Sequence, residues 1–206
     1  VVSEPRLARL ARATVALVLG DWETLAAVRR SAPAGEPDRA WREAILQTHL
    51  FAGFPRLVEG CEVLDAAGGL GVPEPGELEA PGPLDTDAHA RAGAPLFERI
   101  YADRADAVRA RLARFHPHLA RWIAEHAYGR VLARPGLAAR ERELLAVVAL
   151  VATGQDRQLA SHARGAVRCG ATPDEVIGIV EAVGEQIEAG RLARGLAVLR
   201  RFAVSD

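Results

Sequence analysis

The chain has 206 residues, of which 50% are apolar and 26% are charged. These are ordinary values for a globular protein and exclude disorder across the whole chain, because the apolar surface suffices to offset the entropy lost on folding. The 26 basic and 27 acidic residues leave a net charge of −1, so we expect neither a nucleic acid nor a membrane surface as partner. The length fits one large domain or two small ones.

The cysteines and histidines argue against a metal or redox centre. Cys61 and Cys169 are the two cysteines of the sequence, and they form neither a disulfide scaffold nor a CxxC pair. His116 and His118 flank a proline without a clustered carboxylate, which is weak support for a metal site. We therefore expect no metal. We find no leader pattern and no apolar run of about 18 residues, and we expect a cytoplasmic protein.

Apolar residues recur at helical spacing through the first third of the chain, whereas the period-two alternation typical of strands is missing. Asp21 is placed to cap the second of the predicted helices. Pro55 suits the first turn of the fourth, because its missing N–H would have no partner there. The predicted helices are, in chain order, residues 7–18, 22–32, 37–53 and 55–67.

Residues 68–95 interrupt this pattern, because they are dense in glycine, proline and acidic residues. Such a composition predicts a linker or an ordered surface crossing rather than a helix. It divides the chain into two halves, residues 1–67 and residues 96–206.

Helical patterns then resume in the second half. Thr172 to Glu175 have the pattern of a capping box at a helix start, and the helix that ends before Gly154 is apolar enough to be central and buried. The predicted helices are residues 96–102, 105–115, 117–131, 138–153 and 155–168, one that starts at Thr172, and the last ones through Gln186 to Phe202. The sequence thus predicts an all-α bundle.

The stretch from Tyr128 to Glu175 carries a more specific pattern, in the motifs Tyr128-Gly129, Arg134 to Leu137, Arg142 to Leu144, Gln158-Leu159, His162 and Gly170 to Glu175. Their order and spacing resemble the carboxymuconolactone decarboxylase family, which shares its helical fold with alkylhydroperoxidase D. The resemblance implies an alkylhydroperoxidase D-like helical bundle.

The peroxidase branch of this superfamily has a Glu, then CxxC, then a His four residues after the second Cys. In this chain the resemblance places the Glu at Glu143 and the His at His162, whereas the two cysteine positions fall on Gln155 and Gln158. An amide forms neither a thiolate nor a disulfide. Dithiol peroxidase chemistry is therefore disfavoured.

Spacing alone also brings the candidate residues together. Gln155, Gln158 and His162 share one helix face. Glu143 lies 11 residues before Gly154 and His162 lies 8 after it, so in an antiparallel helix pair their depths differ by about 4.5 Å. A Glu–His contact, direct or through water, is expected. The alternatives are that Glu143 pairs with a nearby arginine and that His162 is a satisfied core histidine.

Decarboxylation in this family is cofactor-free, so the resemblance implies no cofactor. It makes His162 the candidate proton donor and Glu143 the residue that orients it. Arg134 or Arg142 is a candidate for holding a substrate carboxylate in a bidentate manner. Tyr128, Gln155 and Gln158 complete the candidate substrate-binding residues of this half.

The first half is interpreted as a degenerate second copy of the unit, because residues 10–25 align with residues 144–159 at a constant offset of 134. Residues 51–55 match an aromatic-x-Gly-x-Pro pattern that is common in the family, and Gln47 stands where its decarboxylase branch often has His. We hypothesise a pseudo-dimer, which forms a homo-oligomer as a dimer or trimer of chains. Its composite pocket would be lined by Glu143, Gln158, His162, His49, Phe51 and Phe54.

Three functions compete at this point. The first is a carboxymuconolactone decarboxylase-like lyase that acts on a small carboxylated or lactone substrate. The second is an alkylhydroperoxidase- or peroxiredoxin-like antioxidant protein without the CxxC. The third is a non-catalytic helical oligomer that binds a partner.

Overall fold

A computed structural model describes residues 5–78 and 83–204, and within these ranges the chain is helical with no strand. The predicted all-α class is confirmed, in agreement with an alkylhydroperoxidase D-like bundle. The helices of the first third are α1 (Pro5–Leu19), α2 (Trp22–Arg30), α3 (Asp38–Gln47) and α4 (His49–Ala66). The later ones are α5 (Thr86–Tyr101), α6 (Ala105–Phe115), α7 (Pro117–Trp122), a π-helix (Ile123–Leu132), α8 (Ala139–Thr153), α9 (Asp156–Arg168), α10 (Pro173–Glu181) and α11 (Ala189–Phe202).

The helices fall into two compact units. One unit contains α1–α4 together with α8–α11, and the other contains α5–α7 with the π-helix. The first unit therefore joins the two ends of the chain around one core. That the halves 1–67 and 96–206 are two copies of one ancestral unit stays a prediction.

Helix α8 is the centre of the first unit. Every residue from Glu141 to Ala152 is buried, as predicted for this apolar segment. A helix buried on all sides needs neighbours around its whole circumference, and α1, α9, α10 and α11 pack against it. The helix ends at Gly154, whose φ of 72° lies in the left-handed region that glycine adopts without strain. This turn sends α9 back along α8.

The second unit is held together by a close crossing of α5 and the π-helix. A Cβ atom on Gly93 would lie 2.6 Å from the Gly129 nitrogen, and one on Gly129 would lie 2.1 Å from the His89 carbonyl oxygen. Any larger side chain would force the two backbones apart. Glycine at both positions is thus what permits the crossing.

The predicted linker was wrong over its last part, because α5 begins at Thr86 inside it. Asp85 caps this helix by accepting a hydrogen bond from the Ala88 nitrogen at 2.8 Å. The capping signal was hidden by the surrounding glycines and prolines, which dominate the composition of the segment. A short 3-10 turn, Pro75–Glu77, also lies there, and residues 79–82 fall outside the described part.

Two further boundaries differ from the prediction in detail. The predicted helix 117–131 consists of α7 followed by the π-helix, a difference in hydrogen-bond pattern that side-chain periodicity does not reveal. The predicted break between Gly53 and Pro55 is present as a kink, since Gly53 has φ 80° and ψ 166° within α4. No helix among the described residues is both long and apolar enough to cross a membrane.

Candidate functional site

The helical hairpin of α8 and α9 brings the two predicted catalytic side chains into contact. His162 Nδ1 lies 2.9 Å from Glu143 Oε2. An ionised carboxylate can only accept, so Nδ1–H donates to Glu143, and the other ring nitrogen, Nε2, faces away from the carboxylate. The direct Glu–His contact expected from the spacing is confirmed.

The pair is enclosed by protein. Glu143 is fully buried and His162 is 8% exposed. The second carboxylate oxygen, Glu143 Oε1, is buried and has no hydrogen-bond partner among residues 5–78 and 83–204. Leaving a buried acceptor without a partner is costly in a merely structural contact. A donor on a bound molecule would satisfy this atom.

Two opposing effects set the protonation of His162. Burial on its own lowers the pKa of the imidazole, because it penalises the charged form. The negative charge of Glu143 and the hydrogen bond that it accepts act in the other direction, and the net result is a pKa raised above the ordinary value. The imidazole thus keeps its second proton to a higher pH than an isolated histidine would.

Three aromatic rings lie at the start of α4, and one of them, Phe51, contacts His162. The Phe51 ring meets the His162 ring edge-on, with centroids 6.3 Å apart and an interplanar angle of 78°. His49 and Phe54 stack on each other with centroids 4.7 Å apart. His49 is buried, whereas Phe54 is 60% exposed. The predicted nearness of this helix to His162 agrees with the Phe51 contact, and a pocket shared by all of these residues stays a prediction.

The two glutamines at the family's cysteine positions lie at the outer end of the site. Gln155 precedes the first turn of α9 and Gln158 lies within that turn, and both are exposed. His162 lies one turn further along and is buried. A substrate that reaches His162 from this end would pass the two amides, so their predicted role in binding stays open.

Arg142, a candidate for holding a substrate carboxylate, is buried in an ion pair with another helix. It is 1% exposed, its Nη2 donates to Glu43 Oε2 at 2.8 Å, and its Nη1 donates to Gln47 Oε1 at 3.2 Å. A guanidinium held in this way between α8 and α3 does not reach a substrate without breaking a buried ion pair. We therefore withdraw Arg142 as a substrate-binding residue.

Tyr128 and Arg134 belong to the second compact unit. Tyr128 is 4% exposed and packs edge-on against Phe97, with ring centroids 4.9 Å apart. Arg134 Nη2 donates to the main-chain oxygen of Glu77 at 2.8 Å. Their predicted roles in substrate binding stay predictions.

Sequence reasoning missed Glu43, and it noted Gln47 for its position in the family pattern without recognising either residue as a partner of Arg142. Both are buried on the inner face of α3, one turn apart, among apolar neighbours. A charged residue on the buried face of a helix usually has a buried partner of opposite charge. The position of Glu43 among apolar residues was therefore the signal that could have revealed an ion pair. The partner, Arg142, lies 99 residues further along the chain than Glu43, so no local pattern identifies it.

A comparison with known proteins relates part of the chain to a family. Residues 117–200 match the carboxymuconolactone decarboxylase family. The match covers 84 of the 206 residues, and it relates this part of the chain to the family. The matched stretch runs from α7 into α11 and contains both Glu143 and His162, whereas His49, Phe51 and Phe54 precede it.

A curated relative supports the family at greater distance. The chain is 28% identical to "Peroxisomal protein 2" of Schizosaccharomyces pombe over 137 residues, which is 66% of this chain and 63% of the relative. The match therefore leaves more than a third of the relative's length outside the comparison.

Metal ligation has little support in the same region. Among residues 5–78 and 83–204, no group of three or more His, Cys, Asp or Glu side chains is arranged to hold a metal ion. Cys61 is exposed on α4 and Cys169 is partly buried at the end of α9. The contact between Glu143 and His162, in contrast, joins a carboxylate to a side chain that titrates near neutral pH.

Proposed function

We propose that the chain is a cofactor-free enzyme that performs acid/base chemistry on a small carboxylated or lactone substrate. His162 is the proton donor and Glu143 orients it and stabilises its charged form. The observation that carries this proposal is the 2.9 Å contact between His162 Nδ1 and Glu143 Oε2, which occurs within the stretch that matches the carboxymuconolactone decarboxylase family.

The chemistry follows from the two nitrogens of the imidazole. When a carboxylated unsaturated lactone loses CO2, the electron pair of the broken carbon–carbon bond stays on the lactone as a dienolate. His162 Nε2–H then gives its proton to carbon, and solvent restores that proton after product leaves. Glu143 holds Nδ1–H throughout, so the ring neither rotates nor changes the nitrogen that faces the substrate.

Burial of the pair suits this reaction. A site that excludes water strengthens the attraction between Glu143 and the imidazolium, and it keeps the dienolate from taking protons at random. The raised pKa of His162 increases the protonated fraction near neutral pH. Both effects favour a histidine that acts as an acid.

The antioxidant alternative lacks its reactive groups. Gln155 and Gln158 stand where the family's peroxidase branch has its two cysteines, and Cys169 lies seven residues after His162. A dithiol cycle needs two thiols that approach within disulfide distance. We therefore place acid/base chemistry ahead of peroxide reduction.

The proposal is tested by the release of CO2 from 4-carboxymuconolactone and related carboxylated lactones. We expect His162→Gln to lower kcat/KM by about 10²–10⁴-fold, the usual contribution of a general acid or base. His118→Gln is the matched control, because it makes the same replacement at an exposed position of α7, and we expect it to leave the rate unchanged.

Two results would contradict the proposal. One is full activity in His162→Gln, and the other is a wild-type chain that turns over no carboxylated lactone. Consumption of peroxide that alkylation of Cys169 abolishes would instead favour the antioxidant function. A chain inactive in both assays would favour the non-catalytic helical oligomer.

A further inference from the structure

A second buried polar cluster lies directly beside the catalytic pair, and it consists of Glu43, Gln47 and Arg142. All three are at most 1% exposed. Arg142 Nη2 donates to Glu43 Oε2 at 2.8 Å and its Nη1 donates to Gln47 Oε1 at 3.2 Å. The Gln47 side-chain nitrogen donates in turn to the main-chain oxygen of Arg142 at 3.3 Å. The side-chain amide of Gln47 thus contacts both the guanidinium group and the main-chain oxygen of Arg142, the residue that precedes Glu143.

Stability alone explains such a cluster poorly. Taking a carboxylate and a guanidinium out of water costs about as much as their attraction returns, and well-packed apolar residues often do as well. What a buried polar cluster specifies is register, because its hydrogen bonds form at one alignment of the two helices. Here the two helices are α3 and α8.

The cluster is also connected to the start of α4, which carries Phe51. Gln47 is the last residue of α3, and α4 begins two residues later at His49. The buried Thr48 between them accepts hydrogen bonds from the nitrogens of Phe51 and Ala52, at 2.9 and 3.0 Å. Gln47 is therefore connected to Glu143 through the Arg142 peptide and to Phe51 through the α3–α4 junction. These are two of the groups around His162.

We propose that Glu43 and Gln47 are positioning residues, which hold α8 in the register that sets Glu143 against His162 with Phe51 at the ring. They touch neither the imidazole nor, in this arrangement, a substrate. The catalytic meaning of this role rests on the proposed acid/base function, whereas the structural coupling does not depend on it.

The coupling is measured on the folded chain without any substrate, by an NMR titration of the His162 ring. Gln47→Ala removes the amide and leaves no charge unpaired. We expect it to loosen the Glu143 contact and lower the apparent pKa of His162 by roughly 1 pH unit. The matched control is Gln186→Ala, since Gln186 Nε2 also donates to a main-chain oxygen, that of Arg12, at 3.1 Å. We expect no shift in that variant.

A second variant keeps the test decisive if Gln47→Ala fails to fold. Glu43→Met combined with Arg142→Met replaces the ion pair by apolar side chains of similar length, an exchange that folded proteins tolerate. We expect the same downward shift for His162, with native helix content by circular dichroism. An unchanged His162 titration in both variants, where they fold, would overturn the proposal.

Activity measurements separate this proposal from the proposed function. A His162 shift in a chain that turns over no carboxylated lactone supports the positioning role and rejects the decarboxylase chemistry. Lactone turnover that Gln47→Ala leaves untouched, together with an unshifted titration, rejects the positioning role alone. Loss of kcat with an unchanged KM in Gln47→Ala supports both.

Discussion

Arg142 and Glu143 are neighbours on α8, yet they belong to two very different polar contacts. Arg142 faces α3 and pairs with Glu43, and both side chains are at most 2% exposed. Glu143 faces α9 and pairs with His162, whose ring nitrogen Nε2 faces away from the carboxylate. The first contact joins two permanent charges, whereas the second joins a carboxylate to a group that titrates near neutral pH.

One buried helix thus carries two adjacent side chains that differ in what they can do chemically, and under the proposed function only the second takes part in the reaction. In our proposal the buried ion pair of Arg142 and Glu43 fixes the alignment of α3 and α8. Arginine stays protonated in proteins, so this pair has no proton to transfer. The Glu143–His162 pair has an acceptor oxygen without a partner in the part of the chain that the structure describes, and its imidazole is a group that can gain and lose a proton. A titratable group with a strong charged partner in an enclosed site is what acid/base catalysis requires.

The largest effect is expected from breaking the ion pair on one side. Glu43→Ala leaves the buried Arg142 guanidinium without its carboxylate, and we expect a loss of about 3–5 kcal/mol in the free energy of unfolding. Urea denaturation measures it. A loss below about 1 kcal/mol, the level of an exposed pair, would show that the two contacts differ less than the structure implies.

A pH-dependent effect is expected at the second contact. The pKa of His162 is raised in the folded state, so its stabilisation is complete below the unfolded-state value of about 6.5 and is lost as the pH rises through the folded value. Glu143→Gln removes the charge that raises the pKa. We therefore expect wild type to exceed Glu143→Gln in unfolding free energy most at mildly acidic pH, with the gap narrowing as pH rises. A difference in unfolding free energy between the two proteins that grows towards alkaline pH would contradict a raised pKa of His162.

A smaller effect is expected at the start of α10, which takes part in neither contact and therefore serves as a control for both. Thr172 caps α10, since its side-chain oxygen accepts from the Glu175 nitrogen at 3.2 Å and Glu175 accepts from the Thr172 nitrogen at 2.8 Å. Thr172→Ala should cost about 1 kcal/mol of stability, the usual value for a lost N-cap. We expect no change in the His162 titration, and a change there would mean that the NMR readout reports general loosening.

The smallest effect is expected at the exposed N-terminal end of α9. Gln158→Ala removes an exposed amide, and we expect a change in unfolding free energy within about 0.5 kcal/mol. If Gln158 contacts substrate, KM rises while stability stays constant. A clear loss of stability would show that Gln158 has a structural role in packing rather than a role in substrate binding.

The parts of the molecule that follow from local signals could be predicted from the sequence. The Gly154 turn and the apolar run before it predicted a buried helix followed by a reversal, and the residue counts on either side of the turn placed Glu143 opposite His162. Helical periodicity and caps are properties of a few neighbouring residues, so they are visible in one sequence.

The remaining features depend on partners far apart in the chain. Arg142 matched the expected chemistry of a carboxylate-binding residue, and only the folded chain shows that Glu43 already occupies it. The helix at Thr86 was obscured because a short stretch of helix formers lies beside many glycines and prolines. The π-helix hydrogen-bond pattern after Trp122 leaves no distinct mark on side-chain spacing.

The central claim is that Glu143 and His162 act as one acid/base pair, and the NMR titration of the His162 ring in wild type and in Glu143→Gln tests it most directly. We expect a wild-type pKa above the ordinary value of about 6.5 and a lower one in the variant, where burial acts on the imidazole without the carboxylate. A wild-type pKa at or below that ordinary value, or a titration that Glu143→Gln does not move, would contradict the pairing.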